Sequence, residues 1–199
     1  MERDERERVI LEHVQGKDVL DVGFLDHFAA MSDGIDWLHG KICAAARSVT
    51  GLDIASEELA KLPNRYSFVV GDAHTIDLEK RFDCIVAGEL IEHLENPGQF
   101  LVNMHRHLKD GGSLVLTTPN PFYPKFILDI LIAGETYVNP QHTCWYCDKT
   151  LSALLRRTGF RQVEIRFTNA SKRFYAIGRL PSRLLRKRLA SHIVAVAYR

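Results

Sequence analysis

The sequence predicts a single α/β domain with a mostly parallel, doubly wound sheet, an antiparallel last strand and helices on both faces. Short apolar runs typical of buried strands alternate along the chain with segments of helical periodicity. The connections between them are short, and neither an internal repeat nor a long linker divides residues 1–199. Two apolar runs follow each other late in the chain, which predicts an antiparallel end to the sheet.

Four strands and three helices are predicted in the first half of the chain. The predicted strands are Lys17–Val22, Ser48–Asp53, Ser67–Val70 and Phe82–Ala87. A helix within residues 1–15 precedes the first strand. A second helix, Ile35–Arg47, carries an apolar stripe at i, i+3 and i+4 spacing. A third begins at Ser56, a favoured N-cap residue, and ends before Pro63.

The second half continues the same alternation. Pro97–Leu108 is predicted as an amphipathic helix that Asp110-Gly111-Gly112 terminates, and Ser113–Thr117 as the next strand. The helix Asp148–Thr158 is followed by the last two strands, Gln162–Phe167 and His192–Tyr198. Residues 119–147 are irregular and are expected to form a lid over an acceptor, and residues 170–190 an insertion before the last strand.

Composition and charge narrow the possible function classes. Lys plus Arg total 26 and Asp plus Glu 25, so overall charge gives no indication of a polyanionic partner, and a nucleic-acid substrate is not expected. No apolar run approaches the roughly 18 residues of a membrane span, and the first eight residues are too charged for a signal peptide. Four cysteines are too few for a disulfide framework. A cytoplasmic location is therefore expected.

Acidic residues and glycines stand at the ends of four successive predicted strands. They are Asp21-Val22-Gly23 after the first, Asp53 after the second, Gly71-Asp72-Ala73 after the third and Gly88-Glu89 after the fourth. Ligands of open α/β sheets bind beyond the carboxyl ends of the strands. A carboxylate there can accept hydrogen bonds from both hydroxyls of a ribose, and a glycine permits close backbone approach. The pattern predicts a site for a nucleoside-containing cofactor.

These segments resemble, in order, the markers of class I S-adenosylmethionine-dependent methyltransferases. Further markers are Gly51-Leu-Asp53-Ile54, Phe82-Asp-Cys-Ile-Val, Glu92-His93 before Leu94, and Leu108-Lys-Asp-Gly-Gly112, so the resemblance covers roughly residues 10–170. It implies a Rossmann-like, seven-stranded sheet. It also implies that Asp21 and Gly23 contact the methionine part of the cofactor, Asp53 the ribose, and Asp72 and Ala73 the adenine. The remaining expected cofactor contacts are Phe24, Ile54 and Glu89.

The first loop departs from the family pattern of acidic-x-Gly-x-Gly-x-Gly. Leu25 and His27 occupy the positions of the second and third glycines. Side chains therefore stand where bare backbone usually meets the cofactor, and a degenerate, non-catalytic binding protein is one alternative. A second is an NAD-type oxidoreductase, but the Gly-x-Gly-x-x-Gly pattern of that class is missing from the sequence.

The sequence Glu89-Leu-Ile-Glu92-His93, together with His142, forms the candidate catalytic group. On a helix, Glu89, Glu92 and His93 would share one face. Carboxylates and imidazoles are suitable ligands for Mg²⁺ or Mn²⁺. The pattern resembles that of small-RNA 2′-O-methyltransferases and ubiquinone-pathway O-methyltransferases, which use Glu-x-x-Glu-His in this place. Without a metal, His93 or His142 is the candidate general base, and Glu92 and His93 then serve in local packing.

Two segments bear on the acceptor. Within Pro119–Pro140, apolar residues could form a helix face that either packs on the core or binds an apolar or lipid-linked acceptor: Phe122, Tyr123, Phe126, Ile127, Ile130 and Leu131. The basic cluster Arg179–Arg188 is interleaved with leucines, which fits a peripheral membrane contact, an acidic acceptor or a solvated helix. The expected acceptor is a hydroxyl of a small molecule, a saccharide or a lipid-linked compound.

Overall fold

The computed structural model of the chain describes residues 5–25, 37–136, 138–169 and 188–199. Within these ranges seven strands form one sheet, in the order β3-β2-β1-β4-β5-β7-β6. Strand β7 pairs antiparallel with both of its neighbours, and the other pairs are parallel. The predicted fold class is confirmed. The strands are β1 Asp18–Val22, β2 Ser48–Asp53, β3 Phe68–Val70, β4 Phe82–Gly88, β5 Leu108–Pro119, β6 Gln162–Thr168 and β7 His192–Tyr198.

Six α-helices and one short 3-10 turn are present in the described ranges. They are α1 Glu5–Val14, α2 Leu38–Ala45, α3 Ser56–Leu59, α4 Pro97–His107, α5 Pro124–Ala133, α6 Asp148–Arg157 and the 3-10 turn Ile91–His93. None of these helices has the length and apolar character needed to cross a membrane.

Alternate residues of the central strands face two separate apolar layers. Val19 and Val86 contact α1 and α2 on one face, whereas Leu20 and Ile85 belong to the layer that contains α4 and α6. The sheet is therefore covered on both sides by helices, which explains why its strands are apolar runs rather than alternating sequences. The assignment of residues 1–199 to one domain remains a prediction.

The structure differs from the predicted elements in four parts of the chain. Strand β5 begins at Leu108, before the predicted start at Ser113, because Leu108 already pairs with Phe82 of β4; an irregularity that contains Gly111, with its left-handed φ of 74°, separates this pair from those that begin at Ser113. The helix predicted to start at Ser56 has only four residues, and its N-cap is Ala55 rather than Ser56. Helix α5 lies in the stretch expected to be irregular. Helix α2 begins at Leu38, and residues 35 and 36 lie outside the described ranges.

The order of the strands creates a crevice beside the sheet. After β1 the chain adds β2 and β3 on one side and then returns to place β4 on the other side of β1. Connections therefore leave the carboxyl ends of β1 and β4 in opposite directions and open a gap between them. Gly23 and Glu89, which follow these strands, lie at this gap.

Asn120, directly after β5, holds the end of the insertion 170–190 that leads into β7. Its buried side-chain amide donates to the carbonyls of Arg188 at 2.9 Å and Ala190 at 2.7 Å. Its carbonyl oxygen accepts from the backbone N–H of Phe122. One side chain therefore satisfies three backbone groups where β5, β7 and the approach to α5 meet.

We predict that Asn120→Ala lowers the free energy of unfolding by about 2–3 kcal/mol, because buried carbonyls lose their donors. Urea titration followed by circular dichroism measures this change. The matched control is Asn139→Ala, whose side chain accepts a single exposed bond from Gln141, with an expected loss under about 1 kcal/mol. Equal losses in the two variants would contradict the assigned role.

Candidate functional site

A cavity of about 720 Å³ opens at the crevice between β1 and β4. Its walls come from the segments after β1, β2 and β4, from the start of α2, and from residues near 139–142. Both the predicted cofactor loop and the predicted catalytic group line it. Among the predicted site residues, the cavity walls include Asp21, Gly23, Phe24, Asp53, Glu89, Glu92, His93 and His142.

The loop after β1 turns sharply at Gly23, which has a φ of 66°. A Cβ atom there would lie 2.9 Å from the Leu90 side chain, so glycine is required both by the backbone and by space. The Gly23 N–H donates to the carbonyl of Leu52 and ties the loop to β2.

Asp21 is buried and pairs with a residue that the sequence analysis did not single out. His39 Nδ1 lies 2.8 Å from an Asp21 carboxylate oxygen, and both side chains are almost fully enclosed. Burial by itself would lower the pKa of His39, but hydrogen bonds and the negative charge of Asp21 raise it to about 9. Burial raises the pKa of Asp21, although the bond to His39 opposes this shift. The pair therefore retains one proton over a wide pH range.

Aromatic rings surround this pair on the side of the cavity. The His39 ring centroid lies 4.3 Å from that of Phe24 and 4.9 Å from that of Trp37. Trp37 donates its indole N–H to the Phe24 carbonyl. The Phe24 ring also packs on Gly51, where an added Cβ would come within 2.4 Å of it. A glycine in β2 therefore makes room for the side chain in the cofactor loop.

Asp53 lies at the carboxyl end of β2 and is tied to the same loop. Its carboxylate accepts the backbone N–H of Leu25 at 3.2 Å and that of Ala55 at 3.2 Å. Leu25, which replaces a family glycine, lines the cavity beside Asp53. His27, the second replacement, lies outside the described residues.

The remaining predicted cofactor contacts are not part of the cavity wall. Ile54 is 71% exposed. Ala73 packs against the core, and Asp72 accepts hydrogen bonds from the backbone and the ring of His74, which lower its pKa. Asp72 nevertheless follows the strand next to Asp53, because the Gly71 N–H donates to the Asp53 carbonyl at 2.9 Å. Asp53 and Asp72 thus share one edge of the sheet.

Glu89 is not on a helix face with Glu92 and His93, and that part of the prediction is wrong. It takes a left-handed φ of 51° directly after β4, before the 3-10 turn begins. Its carboxylate accepts the Thr117 hydroxyl at 2.8 Å and pairs with Arg6 at 3.4 Å and His192 at 3.5 Å. These partners orient Glu89 at the cavity wall, and it is not a member of the group of possible metal ligands that the other three predicted residues form.

Glu92, His93 and His142 do come together. One donor atom from each lies within 4.8 Å of the other two. The two imidazole rings are perpendicular, with centroids 4.6 Å apart. Both Glu92 carboxylate oxygens and His142 Nδ1 are buried without a hydrogen-bond partner. Burial, reinforced by the charge of Glu89, raises the pKa of Glu92 to about 8.

Backbone pairing brings His142 to this cluster from a distant part of the chain. The Thr143 N–H donates to the Glu92 carbonyl at 2.8 Å, and the Thr143 hydroxyl reaches the Leu94 carbonyl at 2.8 Å. Burial also lowers the pKa of His142, which favours its neutral imidazole. Cys144 and Cys147, the nearby thiols, are not members of the cluster found in the described ranges.

Arg6, Trp37, His39 and His192 line or support the site but were missed by the sequence analysis. Trp37 and His39 could have been identified from the sequence as candidates, because they lie at the start of the helix that follows the cofactor loop. No sequence feature indicates Arg6 and His192 as site residues, since their approach to Glu89 depends on how α1 and β7 pack.

Comparison with known proteins agrees with this geometry. The protein family described as a methyltransferase domain matches residues 3–165. This chain belongs to that family. The methyltransferase chain is 30% identical over 151 residues to a probable S-adenosylmethionine-dependent methyltransferase of Mycolicibacterium smegmatis, covering 73% of this chain and 52% of the relative. It is 25% identical over 128 residues to a ubiquinone biosynthesis O-methyltransferase of Rickettsia akari, covering 61% and 47%.

The fold is also found in solved structures. A SAM-dependent methyltransferase from Archaeoglobus fulgidus aligns with a TM-score of 0.71 at 19% identity, covering 98% of this chain and 91% of the other. The chain spans between 23% and 52% of the length of the curated relatives that it matches. The family match supports the methyltransferase interpretation over the NAD-type oxidoreductase.

We predict that the methyltransferase loses stability as the pH rises from about 6.5 to about 9, by about 2–3 kcal/mol. The folded pKa of His39 lies above its ordinary value, so the folded state binds more protons across this interval. The double variant Asp21→Asn, His39→Gln keeps a hydrogen bond between the two positions but has no proton to lose. Urea titrations at several pH values should show that the double variant lacks this decline. An equally steep decline would contradict the protonated pair.

Proposed function

We propose that this methyltransferase transfers the methyl group of S-adenosylmethionine to a hydroxyl oxygen of a small-molecule, saccharide or lipid-linked acceptor. The observation that carries the proposal is that Asp53 and the Gly23 loop open on the same cavity as Glu92, His93 and His142. A nucleoside-binding carboxylate and groups that can activate an oxygen therefore line one space. The similarity to a ubiquinone biosynthesis O-methyltransferase supports oxygen as the acceptor atom.

Each residue at the cofactor end of the cavity would have a distinct role. Asp53 would accept hydrogen bonds from the ribose hydroxyls, using lone pairs that Leu25 and Ala55 leave available. Gly23 would let the backbone approach the methionine part, and the buried pair of Asp21 and His39 would hold that loop in place. Ile54, Asp72 and Ala73 follow the strands on the adenine side, as the family resemblance implies.

In the chemical step, a lone pair of the acceptor oxygen forms a bond to the methyl carbon. The carbon–sulfur bond breaks, and its electron pair returns to the sulfur to leave S-adenosylhomocysteine. The cofactor supplies the reactivity, so the chain's residues orient the reactants and exclude water. The hydroxyl proton must also leave; in the absence of a cation, His142 is favoured to accept it, because its lowered pKa keeps the imidazole neutral. His93 lies beside it as the alternative base.

A divalent cation fits the cluster of Glu92, His93 and His142. The buried carboxylate oxygens of Glu92 have no hydrogen bond, and its raised pKa shows that a bare negative charge is disfavoured there. Two imidazoles and one carboxylate are ligands that Mn²⁺, and more weakly Mg²⁺, accept. When bound, the cation would lower the pKa of an acceptor hydroxyl. We therefore propose these three residues as the ligands, with Glu89 outside the set.

The second candidate function is a non-catalytic S-adenosylmethionine-binding protein. Leu25 favours it, since a side chain replaces a family glycine at the cavity wall. Cofactor turnover separates the two candidates, because a binding protein would hold the cofactor without consuming it.

We also propose a cytoplasmic location. The four cysteines are free, which suits a reducing compartment.

The role of Asp53 is tested by calorimetry with S-adenosylhomocysteine. We predict that Asp53→Ala weakens binding by at least about tenfold, because the ribose hydroxyls lose a charged acceptor. Glu57→Ala is the control, since it removes an exposed carboxylate from α3, close in sequence, and should bind as the wild type does. Equal affinity in Asp53→Ala, or no wild-type binding at millimolar concentration, would contradict the proposal.

The cation is tested by titrating the protein with Mn²⁺. We expect one bound equivalent, and at least about tenfold weaker binding in Glu92→Gln, which keeps the size of the side chain but removes its charge. Glu95→Gln, which changes an exposed carboxylate nearby, should leave binding unchanged. If Glu92→Gln binds Mn²⁺ as the wild type does, the ligand set is wrong. Full activity in excess chelator would leave His142 as the base without a cation.

A further inference from the structure

Helix α4 carries two polar side chains into the apolar interior. Asn103 and His107 are almost fully buried, and the other buried residues of this helix are apolar. The two residues lie one turn apart and face the segment that follows β3. Buried polar groups are nearly always hydrogen-bonded, so their partners indicate what these two side chains do. We call residues 72–78 the β3 loop.

The partners are backbone groups of the β3 loop. The Asn103 side-chain amide donates to the carbonyls of Ala73 at 3.1 Å and Ile76 at 2.9 Å. The Leu78 N–H donates to His107 Nε2 at 2.9 Å. Because Nε2 accepts this bond, the His107 ring carries its proton on Nδ1, which donates to the Asn103 carbonyl at 2.9 Å. Two side chains therefore hold the loop near its beginning, in its middle and at its end.

The loop in turn holds Asp72 in a fixed orientation. The N–H groups of Thr75 and Ile76 donate to the Asp72 carbonyl at 3.1 Å and 2.8 Å. The backbone N–H and the ring Nδ1 of His74 both contact one oxygen, Oδ1, of the Asp72 carboxylate. The second oxygen can accept a hydrogen bond from a ligand. Because Ile76 is also bonded to Asn103, a shift of the loop on α4 would move this carboxylate.

The strand order places the Asp72 carboxylate next to the proposed ribose site. The carboxyl ends of β1, β2 and β3 lie in line along one edge of the sheet, and Gly23, Asp53 and Asp72 follow these three strands. A nucleoside whose ribose binds Asp53, and whose amino-acid end lies toward Gly23, extends its base toward Asp72. Ile54, which is 71% exposed beside Asp53, offers an apolar surface to the flat face of that base.

We propose that Asn103 and His107 are positioning residues that make the cofactor site selective for adenine. By holding the β3 loop, they direct the Asp72 carboxylate at the exocyclic amino group of the base, which donates a hydrogen bond to it. Hypoxanthine has a carbonyl oxygen at this position, so two acceptors would face each other and the bond is lost. Neither residue contacts the reacting atoms. This inference rests on the proposed function, because it requires an adenosyl group beside Asp53.

Calorimetry with two ligands tests this proposal. They are S-adenosylhomocysteine and S-inosylhomocysteine, in which hypoxanthine replaces adenine. We expect the wild type to bind the adenine compound at least about tenfold more tightly. In Asn103→Ala this preference should fall to within about twofold, because the adenine compound loses its bond to Asp72. His107→Leu should also reduce the preference, whereas His107→Gln, which keeps an acceptor for the Leu78 N–H, should retain more of it.

The matched control is Asn120→Ala, which also removes a buried amide that donates to two backbone carbonyls. Asn120 follows β5, and three strands separate β5 from β3. The control should lose stability in urea titrations and keep the wild-type preference for adenine. A purely structural loss would weaken the binding of both compounds equally, so an unchanged preference in Asn103→Ala overturns the proposal.

A double-mutant cycle shows whether Asn103 acts through Asp72. Asp72→Ala should weaken binding of S-adenosylhomocysteine about tenfold, and adding Asn103→Ala should weaken it less than about twofold further. Additive losses would contradict the assigned route. If Asn103→Ala does not fold, His107→Leu takes its place in the cycle.

The wild-type measurements distinguish this inference from the function on which it rests. Binding of S-adenosylhomocysteine without a preference over S-inosylhomocysteine overturns the inference and leaves the proposed function intact. Binding of neither compound removes both.

Discussion

The return of the chain from β3 to β4, on the far side of β1, is the constraint on which the site depends. Because β1 and β4 run parallel side by side while their connections leave in opposite directions, their carboxyl ends open a crevice. Gly23 and Glu89 both take left-handed backbone conformations at these ends. The cofactor loop and the candidate catalytic group meet there because they follow neighbouring strands, although more than sixty residues separate them in sequence.

The fold was predictable because its strands are nearly continuous apolar runs, which parallel strands covered on both faces require. The errors occurred where local signals conflict with the sheet. Asp110-Gly111-Gly112 has the composition of a turn, and it lies in an irregularity of β5 between the pair of Leu108 with Phe82 and the pairs that begin at Ser113, so the strand begins earlier than its composition indicates. Helix α5 was hard to place because an apolar segment flanked by prolines has no clear polar face, and the structure explains why: little of it packs on the core.

The candidate site was partly predictable, and what was missed depends on tertiary packing. Asp21, Gly23 and Asp53 follow strands, so their convergence is a consequence of the topology. The Glu92–His93–His142 cluster required a resemblance, because nothing local shows that Thr143 pairs with the Glu92 backbone. Glu89 was misplaced because a helix was assumed directly after β4. His39 was missed since its pairing with Asp21 is invisible until α2 packs on the sheet. The space for the Phe24 ring of the cofactor loop likewise depends on another strand, at Gly51.

A crystal structure with S-adenosylhomocysteine tests the central claim most directly, namely that the ends of β1 and β2 bind an adenosyl group despite the altered first loop. The account predicts the ribose hydroxyls on the Asp53 carboxylate, the adenine toward Asp72, and the amino-acid end toward Gly23. The sulfur would face the cluster of Glu92, His93 and His142. A ligand bound elsewhere, or a Leu25 side chain filling the nucleoside position in protein saturated with ligand, would contradict it.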